Sequence, residues 1–306
     1  MKFVSIISNS RMLFLFLLIT AKSDRESCLY IFDENIRGVN ITPTFVSTRA
    51  KGLFDLFIKK LRSRVALSFF LLKRKIKLEE TIVYGADHLS HSLLFLKKCS
   101  FFLIEDGTEN YHQKSYKRSW KNKLFSIPKF GMYKNVKRIY LTKRENVPDC
   151  IKSKVEYINI KDLWFKKTEE EKLEILYLLG IDMKKIQLLI GEPFILFTQP
   201  LSEDYILTEN EKIELYKSII NKYDASKLVI KPHPREKTDY SRIFPNVKVF
   251  DETYPSEVLD ILEVKFSRVI TLFSTAAFSY PKEKVDFYGT KIHPKLLAKF
   301  GNIEYE

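Results

Sequence analysis

Short apolar runs recur along this chain, and helix-length stretches separate them. Residues 3–7, 26–32, 81–84, 101–104, 194–197, 228–230, 246–250 and 268–273 read as strands. They are rich in β-branched and aromatic side chains and are bounded by turn residues. Residues 11–22, 91–98, 168–180 and 209–222 read as helices between them. Strands that alternate with helices leave few solutions. A parallel strand pair needs a crossover, and the crossover helices must cover the sheet on both faces. The expected class is therefore α/β with parallel sheets. Two domains are expected at 1–185 and 186–285, with 286–306 returning to pack on the N-terminal domain.

The most apolar run, residues 12–19, bears on how the chain begins. It is far shorter than the roughly 20 residues that span a bilayer. Lys2 and Arg11 before it and Ala21 behind it also fit a signal peptide. The competing reading is better supported by the flanks. Residues 3–7 already form a strand pattern, Ser8-Asn9-Ser10 reads as a turn and helix cap, and a second strand follows. A β-α-β opening with a buried helix is expected.

The strand ends carry the candidate chemistry. Residues 228–230 run into Lys231-Pro232-His233-Pro234-Arg235-Glu236. The prolines end the strand and hold His233 at its carboxyl end, where open α/β sheets bind ligands. A stiff loop with a solvated histidine is the plain alternative. Residues 101–104 run into Glu105-Asp106-Gly107. Adjacent side chains on an extended segment point in opposite directions. One carboxylate can face a ligand as general base while the other supports the loop, and Gly107 permits a tight turn. An ordinary acidic turn would use the same residues. Thr198-Gln199 follows another strand, Glu257 opens a helix, and Ser274-Thr275 stands where a strand meets a helix start suited to phosphate.

Composition narrows the partners. The formal charge is +14, which suggests a polyanion: nucleic acid, an anionic membrane surface or a phosphorylated glycolipid. Basic clusters lie at Lys59, Lys60, Arg62 and Arg64 and at Lys73-Arg74-Lys75. Residues 111–140 hold many Lys and Arg, no Asp or Glu, and interleaved Tyr116, Trp120, Phe125, Phe130 and Tyr133. Such a stretch could bind single-stranded nucleic acid, a membrane face or sugar rings, or could be a lid with aromatics packed beneath. Cys28, Cys99 and Cys150 fit neither a metal motif nor a disulfide framework, so a reducing compartment is expected. The chain contains no Asp-x-Asp pair, GxGxxG fingerprint or Walker loop.

In order, Glu105-Asp106-Gly107, His233-Pro234 and Ser274-Thr275 resemble the motif set shared by several related families of bacterial sialyltransferases. The stretches IEDGTENY, KPHPRE and FSTAAFSYP are most similar to glycosyltransferase family 52, which includes lipooligosaccharide sialyltransferases. The resemblance implies a GT-B architecture, with two Rossmann-like domains whose parallel sheets face across a cleft. It implies metal-independent inverting transfer from CMP-sialic acid to a terminal galactose-type hydroxyl of a surface glycan, with an α-2,3 linkage expected. By this resemblance Asp106 is the catalytic base, and His233 is the general acid or cationic stabiliser of the departing phosphate. Ser274 and Thr275 hold that phosphate and Glu257 the ribose. Thr198, Gln199, Lys231 and Pro234 frame the nucleotide, while Glu105 and Gly107 support the loop. No cofactor is implied, because a monophosphate leaving group carries less charge than a diphosphate.

The sequence departs in one respect from the sialyltransferases it resembles. Some carry Thr-Pro after the first strand, where this chain has Ser8-Asn9-Ser10, so the acceptor is left open. Two other readings stand beside the first: the same fold with another CMP- or UDP-sugar, such as a glucosyl donor, and a basic nucleic-acid-binding protein. No recognition fold or repeat supports the latter. The expected location is the inner face of the cytoplasmic membrane, docked through the basic N-terminal half. A homodimer is compatible with the sequence.

Overall fold

The computed structural model describes residues 3–33, 36–46, 53–89, 91–107, 109–111, 116, 129–187, 189–191 and 193–305. The chain divides into two compact units, Met1–Ile181 and Asp182–Glu306. The division thus falls before residue 185, and the short helix Met183–Gln187 belongs to the second unit.

The first unit holds β1 (Phe3–Ile7), β2 (Cys28–Phe32), β3 (Phe45–Val46), β4 (Ile82–Gly85), β5 (Ser100–Ile104), β6 (Val136–Leu141) and β7 (Val155–Tyr157). They form one sheet in the order β3-β2-β1-β4-β5-β6-β7. All its pairings are parallel. The chain winds outward from β1 to β3, then returns to β4 and winds the other way. The topological switch point therefore lies between β1 and β4.

The apolar run became the crossover helix Ser10–Ile19, whose residues 12–18 are all buried. It packs on the sheet and also touches the helices Ile160–Phe165 and Glu169–Leu178. A helix covered on several sides needs no polar stripe. Among the described residues, no helix is long and apolar enough to cross a membrane. Buried Arg25 ties this opening to the helix Glu169–Leu178. It donates to the carbonyls of Leu17 (3.1 Å) and Thr20 (2.6 Å) and pairs with Glu174 at 2.7 Å. The predicted stop at Gly180 has a steric cause: φ is +67°, and a Cβ there would lie 1.6 Å from the Gly38 carbonyl oxygen.

The second unit holds β8 (Phe194–Phe197), β9 (Leu228–Lys231), β10 (Lys248–Val249), β11 (Arg268–Thr271) and β12 (Val285–Phe287). Their order is β10-β9-β8-β11-β12, again with every pairing parallel. Its switch point lies between β8 and β11. The helix Glu209–Ile220 starts with a capping box at Thr208 and buries Leu215, Tyr216, Ile219 and Ile220. These pack with Leu196, Leu228, Ile230 and Leu272 of the strands and their exits.

The segment 286–306 is built into the second unit. β12 pairs with β11, and Leu296 of the helix Pro294–Phe300 is buried in the cluster just named. Lys295 pairs with Glu211 at 2.6 Å. Thr290 Oγ1 donates to the Gly301 carbonyl (2.6 Å) and accepts the Ile303 N–H (2.9 Å), which closes the segment on itself.

Candidate functional site

In the first unit, the exits of β1, β4 and β5 converge. Parallel register places Ile6 beside Gly85 and Gly85 beside Leu103, so Ser8–Ser10, Asp87-His88 and Glu105-Asp106 leave the same edge of the sheet. Glu105 is 2% exposed and fully engaged. It pairs with Arg11 at 2.6 Å and accepts from the Thr142 hydroxyl (2.6 Å), the Thr142 N–H (2.9 Å) and the Tyr111 hydroxyl. It clamps the β5 exit to the β6 exit and to the first helix.

Asp106 is different. It is 17% exposed and is held by two side chains from other strand exits. Asn9 Nδ2 donates to Asp106 Oδ1 at 2.6 Å, and His88 Nε2 lies 3.3 Å from Asp106 Oδ2. The Asn9 amide cannot turn over. Its Oδ1 caps the first helix by accepting the Met12 N–H at 2.9 Å, so Nδ2 must face the carboxylate. Gly107 has φ +70° and open space around the missing Cβ, so its use is the turn itself.

His88 rests on the Phe130 ring, with centroids 5.2 Å apart. Phe130 has φ +57°, a costly conformation for a bulky residue. Buried Asp87 fixes it by accepting the Phe130 N–H (2.7 Å) and the Gly131 N–H (2.8 Å). Burial pushes the Asp87 carboxyl above its usual range, against those two donors. Tyr116 meets the Phe130 ring at a tilt, with centroids 6.0 Å apart, and donates to the Asn110 carbonyl. Thus two aromatics of the basic stretch pack in line with His88, Phe130 against it and Tyr116 against Phe130. Thr108 and residues 112–115 and 117–128 lie outside the described residues.

In the second unit, the exits of β9, β8 and β11 lie side by side, with Phe197 in register with both Lys231 and Thr271. Thr198 is buried, and its hydroxyl donates to Glu236. Gln199 spans two exits: its N–H donates to the Tyr216 hydroxyl (2.7 Å), and its Oε1 accepts the Phe273 N–H (3.3 Å). His233 is fixed at both ends. Its backbone N–H donates to Glu236 Oε2 (2.7 Å), and its Nδ1 accepts the Arg235 N–H (3.2 Å). The neutral ring therefore carries its proton on Nε2. Burial, then the Arg235 charge, lowers the His233 pKa to about 4. At neutral pH it is an uncharged Nε2–H donor.

The other predicted residues divide. Lys231 turns its ammonium to the Glu252 carbonyl (2.7 Å), between the rings of Phe250 and Tyr254, and burial lowers its pKa to about 8. Pro234 is exposed. The N–H groups expected at Ser274-Thr275 open a 3₁₀ turn, Thr275–Ser279, instead of an α-helix. Ser274 Oγ caps it by accepting the Ala276 N–H at 3.3 Å, and Thr275 is exposed. Glu257 begins the helix Glu257–Ile261, which packs against that turn.

Sequence reasoning did not single out Asn9, His88 and Glu236, which the structure places against Asp106 and His233. Asn9 was legible as a cap and Glu236 as the end of KPHPRE, while His88 carried no signal of its own. Only the sheet order supplied their partners.

The fold has known relatives. A 2,6-sialyltransferase of Photobacterium sp. JT-ISH-224, solved with donor product CMP and acceptor substrate lactose, is 13% identical, with a TM-score of 0.62 over 94% of this chain and 71% of that one. The GT-B domain of a Photobacterium damselae sialyltransferase is 16% identical, with a TM-score of 0.59 over 94% and 90%. A UDP-GlcNAc 2-epimerase of Methanocaldococcus jannaschii is 16% identical, with a TM-score of 0.50 over 90% and 80%. With two parallel sheets of Rossmann order, these likenesses define a GT-B-type architecture. The sequence profile of glycosyltransferase family 52 matches residues 25–296, and the chain belongs to that family of glycosyltransferases.

Proposed function

We propose that this glycosyltransferase moves sialic acid from CMP-sialic acid to a terminal galactose-type hydroxyl of a bacterial surface glycan, with inversion, an α-2,3 linkage and no metal. One observation carries the reading: Asp106, His233 and Ser274-Thr275 each leave the carboxyl edge of their own sheet, from a strand at the switch point or the next one to it. The solved relative with CMP and lactose supports the substrate pair. In the proposed step the acceptor O–H gives its proton to Asp106, and the oxygen bonds to the anomeric carbon. The bond from that carbon to the phosphate oxygen breaks, and CMP leaves. His233 Nε2–H donates to the phosphate, and Ser274 and Thr275 hold it. Glu257 binds the ribose. Asn9 and His88 keep the base aimed.

The test is CMP release from CMP-sialic acid in EDTA, with and without lactose. Lactose-dependent release is expected. No release with CMP-sialic acid, alongside turnover of a UDP-sugar, would refute the donor.

The membrane partner is part of the same proposal. The helix Leu53–Lys73 buries Leu67 and Leu71 but leaves Val65, Phe69 and Leu72 exposed at 61, 69 and 76%. That spacing puts the three on one helix face. Exposed Arg62, Lys73, Arg74 and Lys75 lie nearby. Each basic group near an anionic surface contributes about 1 kcal/mol. Vesicles containing phosphatidylglycerol should sediment the protein at low salt, and phosphatidylcholine vesicles should not. Absence of low-salt binding to the anionic vesicles would end this part of the reading.

A further inference from the structure

The second unit contains a buried carboxylate that the proposed chemistry does not use. The Glu236 side chain is 0% exposed. Oε2 accepts from the His233 backbone N–H (2.7 Å) and from the Thr198 hydroxyl, while Oε1 accepts from the Tyr240 hydroxyl (2.6 Å). The buried ammonium of Lys212 stands 3.7 Å from Oε1 and also pairs with Glu203 and Glu209. The Glu236 N–H donates in turn to the His233 carbonyl at 2.9 Å. The turn His233–Glu236 is thus closed twice, once through the backbone and once through the carboxylate.

A buried carboxylate is costly unless its lone pairs are filled. Here the donors come from three places: the β8 exit, the β9 exit and the helix Tyr240–Ile243. Packing alone could be served by an apolar side chain. What the carboxylate adds is a fixed distance between the Thr198 and His233 exits. The His233 ring is then set by the Arg235 N–H on Nδ1. Among the described residues, Nε2 is left without a hydrogen-bond partner.

We infer that Glu236 is a positioning residue, which holds the His233 turn against the β8 exit so that Nε2–H meets the leaving phosphate. This rests on the role given to His233 above. The readout is kcat for lactose-dependent CMP release by Glu236→Ala, alone and combined with His233→Ala. A displacement of about 1 Å can cost about a hundredfold, so kcat should fall roughly that far while the donor KM moves less than about threefold.

Because Glu236 acts through His233, Glu236→Ala should add no further loss to the residual rate of His233→Ala. Losses that multiply in the double variant, or an unchanged kcat in the single one, overturn the inference. If Glu236→Ala does not fold, Glu236→Gln carries the same comparison. It keeps the volume but can satisfy only one of the two oxygen positions as an acceptor, and about a tenfold loss is expected, absent in the His233→Ala background. Should His233→Ala itself turn over at the wild-type rate, the leaving-group assignment fails along with the inference. Loss in His233→Ala with unaltered Glu236 variants overturns the inference alone.

Discussion

Asp106→Asn should lower lactose-dependent transfer by roughly a thousandfold, the scale of a lost general base. The substitution is conservative in shape. The new Oδ1 can still accept from Asn9 Nδ2, and the new Nδ2 can face His88 Nε2 in its other tautomer. What disappears is the basic oxygen, because an amide does not take a proton from a hydroxyl at neutral pH. The KM for CMP-sialic acid should stay near that of the parent, since Asp106 is assigned to the acceptor step. Initial rates at saturating donor check this, with circular dichroism to confirm the fold. A variant that transfers at the parent rate would remove Asp106 from the chemistry. Glu105 is the control for structure: its carboxylate is spent on Arg11, Thr142 and Tyr111.

His233→Ala should cost roughly a hundredfold in kcat, the scale of one lost donor to developing charge. The same residue predicts a stability effect with a definite sign. Burial lowers the folded-state pKa to about 4, against 6.5 for the free imidazole. Between those values the unfolded chain binds a proton that the folded chain refuses, so stability falls as pH drops from 6.5 toward 4. The contribution is up to about 3 kcal/mol, fully present above pH 6.5 and lost at the acid end. Urea unfolding of the parent and of His233→Asn, at several pH values in that window, measures it. The variant should have the flatter profile. Parallel profiles would mean that the ring is not held neutral by its surroundings.

The alternation of strands and helices was legible because each element is local. β-branched and aromatic runs bounded by turn residues mark strands, and the capping boxes at Thr168 and Thr208 show what starts two of the helices. The helix 209–220 was only partly legible. Its span was read from the sequence, yet Lys212 on it is fully buried, because Glu203 and Glu236 from outside the helix and Glu209 from its own first turn meet it. Nothing local says which strand β12 pairs with, and it lies beside β11.

The candidate site shows the same division at finer scale. The sequence alone determined where the candidate groups stand along the chain: Asp106 and His233 each follow a buried strand, and proline or glycine makes the exit. It also determined the pairing of roles at Glu105-Asp106, since neighbours on an extended chain face opposite ways. Only the tertiary structure decided what those groups touch. Asn9 reaches Asp106 across 97 residues, and Thr198 reaches Glu236 across 38. Such contacts depend on which strands lie side by side and in what register. That order follows from the packing of whole helices and sheets, so no short stretch of sequence carries it.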